Sequence, residues 1–166
     1  MEELNSKYLD VLVPRGLVES SDDKQSFRAQ ITAEGLCSMR ISWEGGFVSR
    51  LDPIDYCSSK PLKLLLPRVA EPHAHIDKAF TWRQFPNLSG DYQGALDANF
   101  KEHEKRTAKD VYSRAERALT LALKNGSRAI RSHVDSFGPF ADESWEALTG
   151  LRSKWNHLIE LQLVAL

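Results

Sequence analysis

Hydrophobic and polar residues alternate along much of the first 60 residues, with the period of two that is typical of half-buried strands. Tyr8–Val13 alternates weakly and ends at a Pro-Arg-Gly turn signal. Phe27–Thr32 and Leu36–Trp43 alternate more clearly, and Gly45-Gly46 predicts a two-residue hairpin loop after the second of them. The chain then reaches a stop signal at Asp52-Pro53. This pattern predicts a small β module over residues 1–60.

From residue 61 onward, apolar strand-like runs alternate with helical stripes. Strands that alternate with helices predict a parallel sheet with right-handed crossovers. Thr107 and Asp142 are the predicted N-caps of the two helices, and Asn125-Gly126 is the predicted end of the first helix. The predicted elements, in order, are strand Leu64–His75, helix Thr107–Lys124, strand Ser127–Asp135, helix Asp142–Trp155 and strand Leu158–Leu166.

The segment that follows the first of these strands is predicted to be an irregular loop over Phe80–Asp97. Loops after parallel strands often carry binding residues, which makes Trp82 a candidate, although a packed cover loop fits the pattern equally well. Asn99–Arg106 is predicted to extend the following helix at its N-terminal side. We expect His103 and Arg114, which lie among other charged residues, to face solvent.

Composition and charge narrow the class of protein. The chain has 166 residues, of which 42% are hydrophobic and 27% charged, and its formal net charge is −1. A nearly neutral chain argues against general nucleic-acid binding, and no apolar run is long enough for a membrane helix. The N-terminus does not resemble a signal peptide. Cys37 and Cys57 are too sparse for a disulfide framework, so we expect free thiols in a cytoplasmic protein.

The candidate chemistry centres on Pro72-His73-Ala74-His75-Ile76-Asp77. In an extended strand, residues two apart project to the same side, so His73 and His75 are expected to lie side by side. Neutral imidazole is a good ligand for zinc and iron, and two such rings supply half of a divalent metal site. Asp77 falls on the same face by this alternation and is a candidate further ligand or orienting group. Satisfied core histidines or surface histidines are the competing interpretation.

A second candidate group stands near the end of the next predicted strand. His133 precedes Asp135 by two residues, and Arg131 lies two residues earlier on the same face. A buried histidine with a structural hydrogen bond is the alternative interpretation of this position.

The segment that ends in Glu-Pro-His-Ala-His-Ile-Asp-Lys resembles the first barrel strand of the amidohydrolase superfamily, and most closely that of cytosine deaminase and its relatives. The resemblance implies that His73 and His75 bind one divalent metal ion, zinc or iron. Residues 131–135 read Arg-Ser-His-Val-Asp and resemble the end of the second strand in the same group. There the histidine lines the substrate pocket without binding the metal, which implies that role for His133.

This resemblance implies an α/β fold: a small N-terminal β-sandwich segment over residues 1–60, then an incomplete (β/α)8 TIM-type barrel of about three strands over residues 61–166. It implies hydrolysis of C–N bonds in small amino-heterocycles. In the family, the remaining metal ligands and the proton-transferring groups come from later strands. We therefore expect the chain to be truncated, to hold its metal ion weakly and to be inactive on its own.

Two other hypotheses remain open from the sequence. The chain is a non-catalytic remnant, or one half of a split barrel that needs a complementing chain or a second copy of itself, because a third parallel strand leaves an unpaired apolar edge. Alternatively, it is a small α+β binding module whose His-x-His pair is incidental.

Overall fold

The computed structural model describes residues 8–18, 31–55 and 62–166. Its backbone divides into two compact units, Met1–Pro67 and Arg68–Leu166. Most of the predicted strand Phe27–Thr32 lies outside the described residues, as does Cys57. Within the described part, the protein is a mixed α/β structure, so the predicted fold class is confirmed at that level.

In the described residues of the first unit, the strands form a four-stranded sheet in the order β3-β2-β1-β4. The first three strands pair antiparallel, and β4 pairs parallel to β1. The predicted hairpin between β2 and β3 is confirmed, and Gly45 and Gly46 adopt φ values of 60° and 86°, which favour glycine. Alternate residues of β1 and β2 form the buried core. The strands are β1 (Tyr8–Pro14), β2 (Leu36–Glu44), β3 (Phe47–Pro53) and β4 (Lys63–Leu64), and the core residues are Val11, Val13, Cys37 and Met39.

The predicted strand Leu64–His75 is divided between the two units, which corrects its start. Leu64 pairs with Leu12 in the first sheet, whereas the first strand of the second sheet begins at Val69. Pro67 lies between the two strands. Proline has no N–H to donate to a sheet, so the apolar run cannot continue as one strand through it.

The second unit contains a three-stranded parallel sheet in the order β5-β6-β7, which confirms the three predicted parallel strands. A 3-10 turn, Ile76–Lys78, follows β5. None of the helices in the described part of the chain is long and apolar enough to cross a membrane. The elements are β5 (Val69–Ala74), α1 (Tyr92–His103), α2 (Ala108–Lys124), β6 (Ser127–Val134), α3 (Ala141–Trp155) and β7 (Glu160–Ala165).

Helix α2 agrees with its prediction at both ends. The Thr107 side chain accepts a hydrogen bond from the Asp110 backbone N–H at 3.2 Å, and Gly126 follows the helix with φ 86°. Val111, Ala115 and Leu119 are fully buried, and they join the core that covers one face of the parallel sheet. The predicted apolar stripe is therefore the face that fixes α2 in the unit.

Two other predictions about the helices are wrong. A separate helix, α1, begins after its N-cap Asp91. It replaces the last part of the predicted loop Phe80–Asp97 and most of the predicted helix extension Asn99–Arg106. The Asp91 carboxylate accepts a hydrogen bond from the Gly94 N–H at 2.7 Å, a local cap that the weak apolar pattern of this segment concealed. In α3, Phe140 stands at the N-cap position, and Asp142 lies inside the first turn.

Candidate active site

The carboxyl ends of β5 and β6 bring three histidines together. His73 is the penultimate residue of β5, and His75 comes directly after that strand. His133 is the penultimate residue of β6. Ala74 is the register partner of Ser132, which sets the two strand ends side by side. Parallel strands place their carboxyl ends at one edge of a sheet, and this edge is where α/β enzymes bind their ligands.

The histidine rings are close enough to act as one group. His73 Nε2 lies 3.2 Å from His75 Nε2. The His73 ring stacks on that of His133 with 4.1 Å between centroids and 20° between planes. The structure thus brings together His73, His75 and His133, and the projection of His73 and His75 to one side agrees with the strand alternation.

A backbone contact fixes the tautomer of His75. Its Nδ1 lies 3.0 Å from the carbonyl oxygen of His133. A carbonyl only accepts hydrogen bonds, so Nδ1 carries the proton and the Nε2 of a neutral ring has a free lone pair. Protein metal sites commonly orient a ligand histidine through such a bond from the other ring nitrogen.

The two Nε2 atoms are 3.2 Å apart, which is close enough for both to bind one divalent metal ion if such an ion were present. Within the residues that the structure describes, no group of three or more His, Cys, Asp or Glu side chains is placed to hold a metal ion. The pair of Nε2 atoms is therefore at most a two-nitrogen half-site.

His133 stands beside this pair as a neutral ring. Desolvation lowers its pKa from the ordinary histidine value, and the neighbouring His73 and His75 lower it further. Its Nδ1 is buried and has no hydrogen-bond partner among the described residues. His133 therefore carries an unsatisfied polar atom beside the pair of Nε2 atoms.

Asp77 does not stand with the histidines as the alternation implied. The strand ends at Ala74, so Asp77 lies in the 3-10 turn, where its side chain is fully buried. Its Oδ2 accepts a hydrogen bond from the Asp135 backbone N–H at 3.3 Å. Burial raises the pKa of Asp77, and the nearby Asp135 carboxylate raises it further.

An arginine that the sequence did not single out lies at the centre of the charges beneath this edge. The Arg106 side chain is fully buried, and its guanidinium lies 2.5 Å from Glu102, 3.3 Å from Asp135 and 3.5 Å from Asp77. Arg106 also donates to the Ser144 hydroxyl at 3.3 Å. The spacing of Glu102 and Arg106, four residues apart, was the only local signal of this cluster.

Three further side chains extend the cluster. Lys78 pairs with Asp135 at 2.8 Å, and Asn99 donates to the same carboxylate at 3.3 Å. Arg114 pairs with Glu102 at 2.6 Å and donates from Nε to the Asp77 carbonyl. Its side chain is only 14% exposed, so the prediction that it faces solvent is wrong. We call Asp77, Glu102, Arg106, Arg114 and Asp135 the buried ion cluster.

Burial and the neighbouring polar groups shift the pKa of Asp135 in opposite directions, and the net effect favours the charged carboxylate. Burial raises the pKa of Asp135, but Lys78, Asn99 and Arg106 together outweigh burial and hold the pKa below its usual range. The Asp135 carboxylate is thus held ionised directly after the strand that carries His133.

The remaining predicted residues lie elsewhere. Arg131 is exposed and donates to the side-chain oxygen of Gln162 on the neighbouring strand at 3.0 and 3.1 Å. Trp82 is 61% exposed and lines a surface groove that also includes Lys78 and Asn99. His103 is buried and stacks on Phe137 with 5.2 Å between centroids, so its predicted exposure is wrong.

Comparison with known proteins places these features in context. The chain is 32% identical over 142 residues to a pterin deaminase from Rhizobium rhizogenes, a match that covers 81% of this chain and 32% of that protein. The chain thus spans about a third of the length of the curated relative it matches. No family model matches the sequence.

Solved structures share the fold. The structure of 5-methylcytosine deaminase from Klebsiella pneumoniae, liganded with 5-fluorocytosine, matches with a TM-score of 0.62 and 23% identity over 77% of this chain and 33% of that one. A triazine hydrolase from Arthobacter aurescens matches with a TM-score of 0.51 and 17% identity over 95% of this chain and 35% of that one. The resemblance to cytosine deaminase-like amidohydrolases is thereby confirmed over part of their length.

Proposed function

We propose that this chain, with its confirmed resemblance to part of the cytosine deaminase-like amidohydrolases, supplies the first metal ligands and one wall of the substrate pocket in a hydrolase of amino-heterocycles. The observation that carries the proposal is the pair of Nε2 atoms of His73 and His75, 3.2 Å apart at the carboxyl end of a parallel strand. We propose His73 and His75 as the ligands of one divalent ion, zinc or iron.

The protein residues would act through binding and orientation. A divalent metal ion bound at this half-site would lower the pKa of a water molecule toward neutrality. The bond from His75 Nδ1 to the His133 carbonyl holds the His75 ring with its unprotonated Nε2 beside the Nε2 of His73. His133, a neutral ring stacked on His73, is proposed to bind a polar edge of the heterocycle.

The other predicted residues have supporting roles in this proposal. Asp77 and Asp135 hold the turn after β5 and the end of β6 through Arg106, so they keep the two strand ends in register. Trp82 and Arg131 are proposed to border the pocket on its exposed side. The group that transfers a proton to the departing nitrogen is proposed to come from residues other than these.

Support for the reaction class comes from the relative rather than from the geometry alone. The 32% identity to a pterin deaminase favours hydrolytic removal of an exocyclic amino group, with a pterin as the first substrate to test. The structure lends support through the position of the histidines at the ligand-binding edge of a parallel sheet. We propose that the chain contributes the opening strands of a (β/α)8 barrel.

A chimaeric enzyme tests this function. The matched segment of this chain would replace the corresponding third of the Rhizobium rhizogenes pterin deaminase, and ammonia release from pterin would be assayed with zinc or iron. We expect turnover that His73→Ala or His75→Ala abolishes and that the control His157→Ala, at an exposed histidine after α3, preserves. A folded, metal-loaded chimaera whose activity survives His73→Ala would refute the proposed ligand role.

The 166-residue chain alone is expected to release no ammonia from pterin or cytosine, because a catalytic zinc site usually takes three protein ligands and the described residues offer two. Metal binding by the chain alone is the second measurement, because it does not depend on whether the chimaera folds.

A second candidate function is that of one half of a split barrel. Within the described residues, β5 and β7 each pair with β6 and with no further strand of that sheet, and an unpaired strand edge favours association. A complementing chain or a second copy would cover these edges. Sedimentation of the purified chain distinguishes the cases, since a concentration-independent monomer would speak against any such association.

A further inference from the structure

A basic groove lies apart from the histidines, on the side of the second unit formed by the loop 79–85 and the first half of α2. Its volume is about 800 Å³. Five cationic side chains but only two carboxylates line it. This charge balance contrasts with the chain as a whole, whose formal net charge is −1.

Both carboxylates of the groove are already engaged. Glu102 pairs with Arg106 and Arg114 inside the buried ion cluster. Asp110 accepts a hydrogen bond from the Thr107 hydroxyl at 2.7 Å at the start of α2. The charge of Glu102 is therefore balanced within the protein, whereas Asp110 leaves one negative charge against the exposed cations of the groove.

Three cations remain available at the mouth of the groove. Arg83, Lys105 and Arg117 are exposed, and among the described residues none of them has a carboxylate within ion-pairing distance. Two of these cations lie over aromatic rings. The Arg117 guanidinium is 4.2 Å from the centre of the Phe80 ring, and Lys105 Nζ is 5.9 Å from the centre of the Phe85 ring. Cations placed in this way lose less conformational freedom when they bind a ligand.

The loop that presents these rings is strained at one residue. Phe80 has φ 62°, in the left-handed region that bulky residues rarely adopt. Backbone strain of this kind persists where the surrounding structure enforces it, and it concentrates at ligand-binding segments. Here the strained residue is the one whose ring lies against Arg117.

We propose that this groove binds a multivalent oxyanion of the phosphate class through Arg83, Lys105 and Arg117. Guanidinium groups match the geometry of phosphate oxygens, and charge-assisted hydrogen bonds to such oxygens are among the stronger polar contacts. The volume also accommodates a small phosphorylated molecule in addition to inorganic phosphates. The site is separate from the proposed metal half-site and does not depend on the proposed function.

The test is a calorimetric titration of the metal-free 166-residue chain with inorganic pyrophosphate at low ionic strength. We expect one saturable site whose affinity falls roughly fivefold or more in Arg83→Gln and in Arg117→Gln. Arg128→Gln, at an exposed position on β6 outside the groove, is the matched control and should leave the affinity within about twofold. His73→Ala should also leave it unchanged, which separates the groove from the histidines.

Adenosine diphosphate is the second probe, and it identifies the source of the phosphate. Tighter binding than pyrophosphate, with the same loss in Arg117→Gln, supports the site and assigns a nucleotide; equal binding supports the site and assigns an inorganic polyphosphate. Absence of saturable binding of either probe to a folded chain, or an equal loss of affinity in Arg128→Gln, would overturn the proposal. Thermal unfolding of each variant verifies that the fold is intact.

Discussion

The pair His73 and His75, which we call the histidine edge, lies in the same unit as the buried ion cluster. The two groups differ in how far apart their residues are in the sequence. His73 and His75 are two residues apart in the sequence, and the backbone at the end of β5 sets them side by side. Arg106 reaches Asp77 and Asp135 across separations of 29 residues each. The first group is a local consequence of one strand, whereas the second exists only when the helices have packed on the sheet.

The two regions also differ in solvent exposure. His73 is exposed and His75 half-buried, so either can be removed without opening the core. The Arg106 side chain is fully buried among carboxylates, which leaves unpaired charges behind if it is removed. We therefore expect the histidine edge to determine ligand binding and the buried ion cluster to determine stability.

Arg106→Ala should have the largest effect. Removal of one partner from a buried charge cluster costs about 3–5 kcal/mol of unfolding free energy, since Glu102 and Asp135 remain buried. Urea unfolding measures the loss, and Arg106→Lys should recover part of it because the charge is retained. Arg152→Ala, at an exposed arginine in α3, should change stability by no more than about 0.5 kcal/mol. Equal losses in both alanine variants would contradict a special role for the cluster.

His73→Ala and His75→Ala should reverse this pattern. Each removes one of two proposed metal ligands, so zinc affinity measured by calorimetry should fall at least about a hundredfold. The unfolding free energy of the metal-free chain should change by less than about 1 kcal/mol in His73→Ala, because that side chain is exposed. His157→Ala is the control. Unchanged zinc affinity in His73→Ala would remove the distinction between the two regions.

Ser132→Ala should affect both regions to a smaller extent. The fully buried Ser132 hydroxyl accepts a hydrogen bond from the Ile76 N–H at 3.2 Å, directly after His75. An unsatisfied buried N–H costs about 1–3 kcal/mol, and the turn that positions His75 should loosen. We expect lower stability in urea and a zinc affinity several-fold weaker. Ser153→Ala, at an exposed serine in α3, should change neither quantity measurably.

Asp135→Asn tests a narrower quantity, the pH dependence of stability. The folded-state pKa of Asp135 is lowered, because Lys78, Asn99 and Arg106 together outweigh burial. Its stabilising contribution is therefore present above the unfolded-state pKa, about 3.9, and is lost as pH falls through the folded-state value. Asp77, whose pKa burial raises, acts in the opposite sense: its contribution is lost as pH rises from the unfolded value through the folded one.

Urea unfolding between about pH 6 and pH 3 checks this expectation. The parent chain should lose more stability toward acid than Asp135→Asn does. Parallel pH profiles for the two proteins would show that the Lys78–Asp135 pair makes no net electrostatic contribution.

The same contrast explains what the sequence could predict. Features with a local signature were predicted: the Gly45-Gly46 hairpin, the Thr107 cap and the His-x-His pair each follow from residues a few positions apart. The burial of His103 and Arg114 was not, because charged neighbours in the sequence suggest solvent and only tertiary packing supplies Phe137 and Glu102 as partners.

Errors at the strand ends have a similar origin. Strand alternation places Asp77 on the same face as the histidines, but the strand ends at Ala74, and the 3-10 turn that follows buries the Asp77 side chain. Leu64 was assigned to the wrong sheet because an apolar run carries no information about which neighbour it pairs with. Arg106, the centre of the buried ion cluster, gave no stronger signal than its spacing from Glu102.

The most direct test of the central claim is the position of a bound metal ion. Crystals of the 166-residue chain grown with zinc should show an anomalous scattering peak about 2.1 Å from the Nε2 atoms of both His73 and His75. The account predicts that this peak disappears in His75→Ala. A zinc ion bound by other residues, with the Nε2 atoms of His73 and His75 still 3.2 Å apart and no metal ion bound to them, would contradict it.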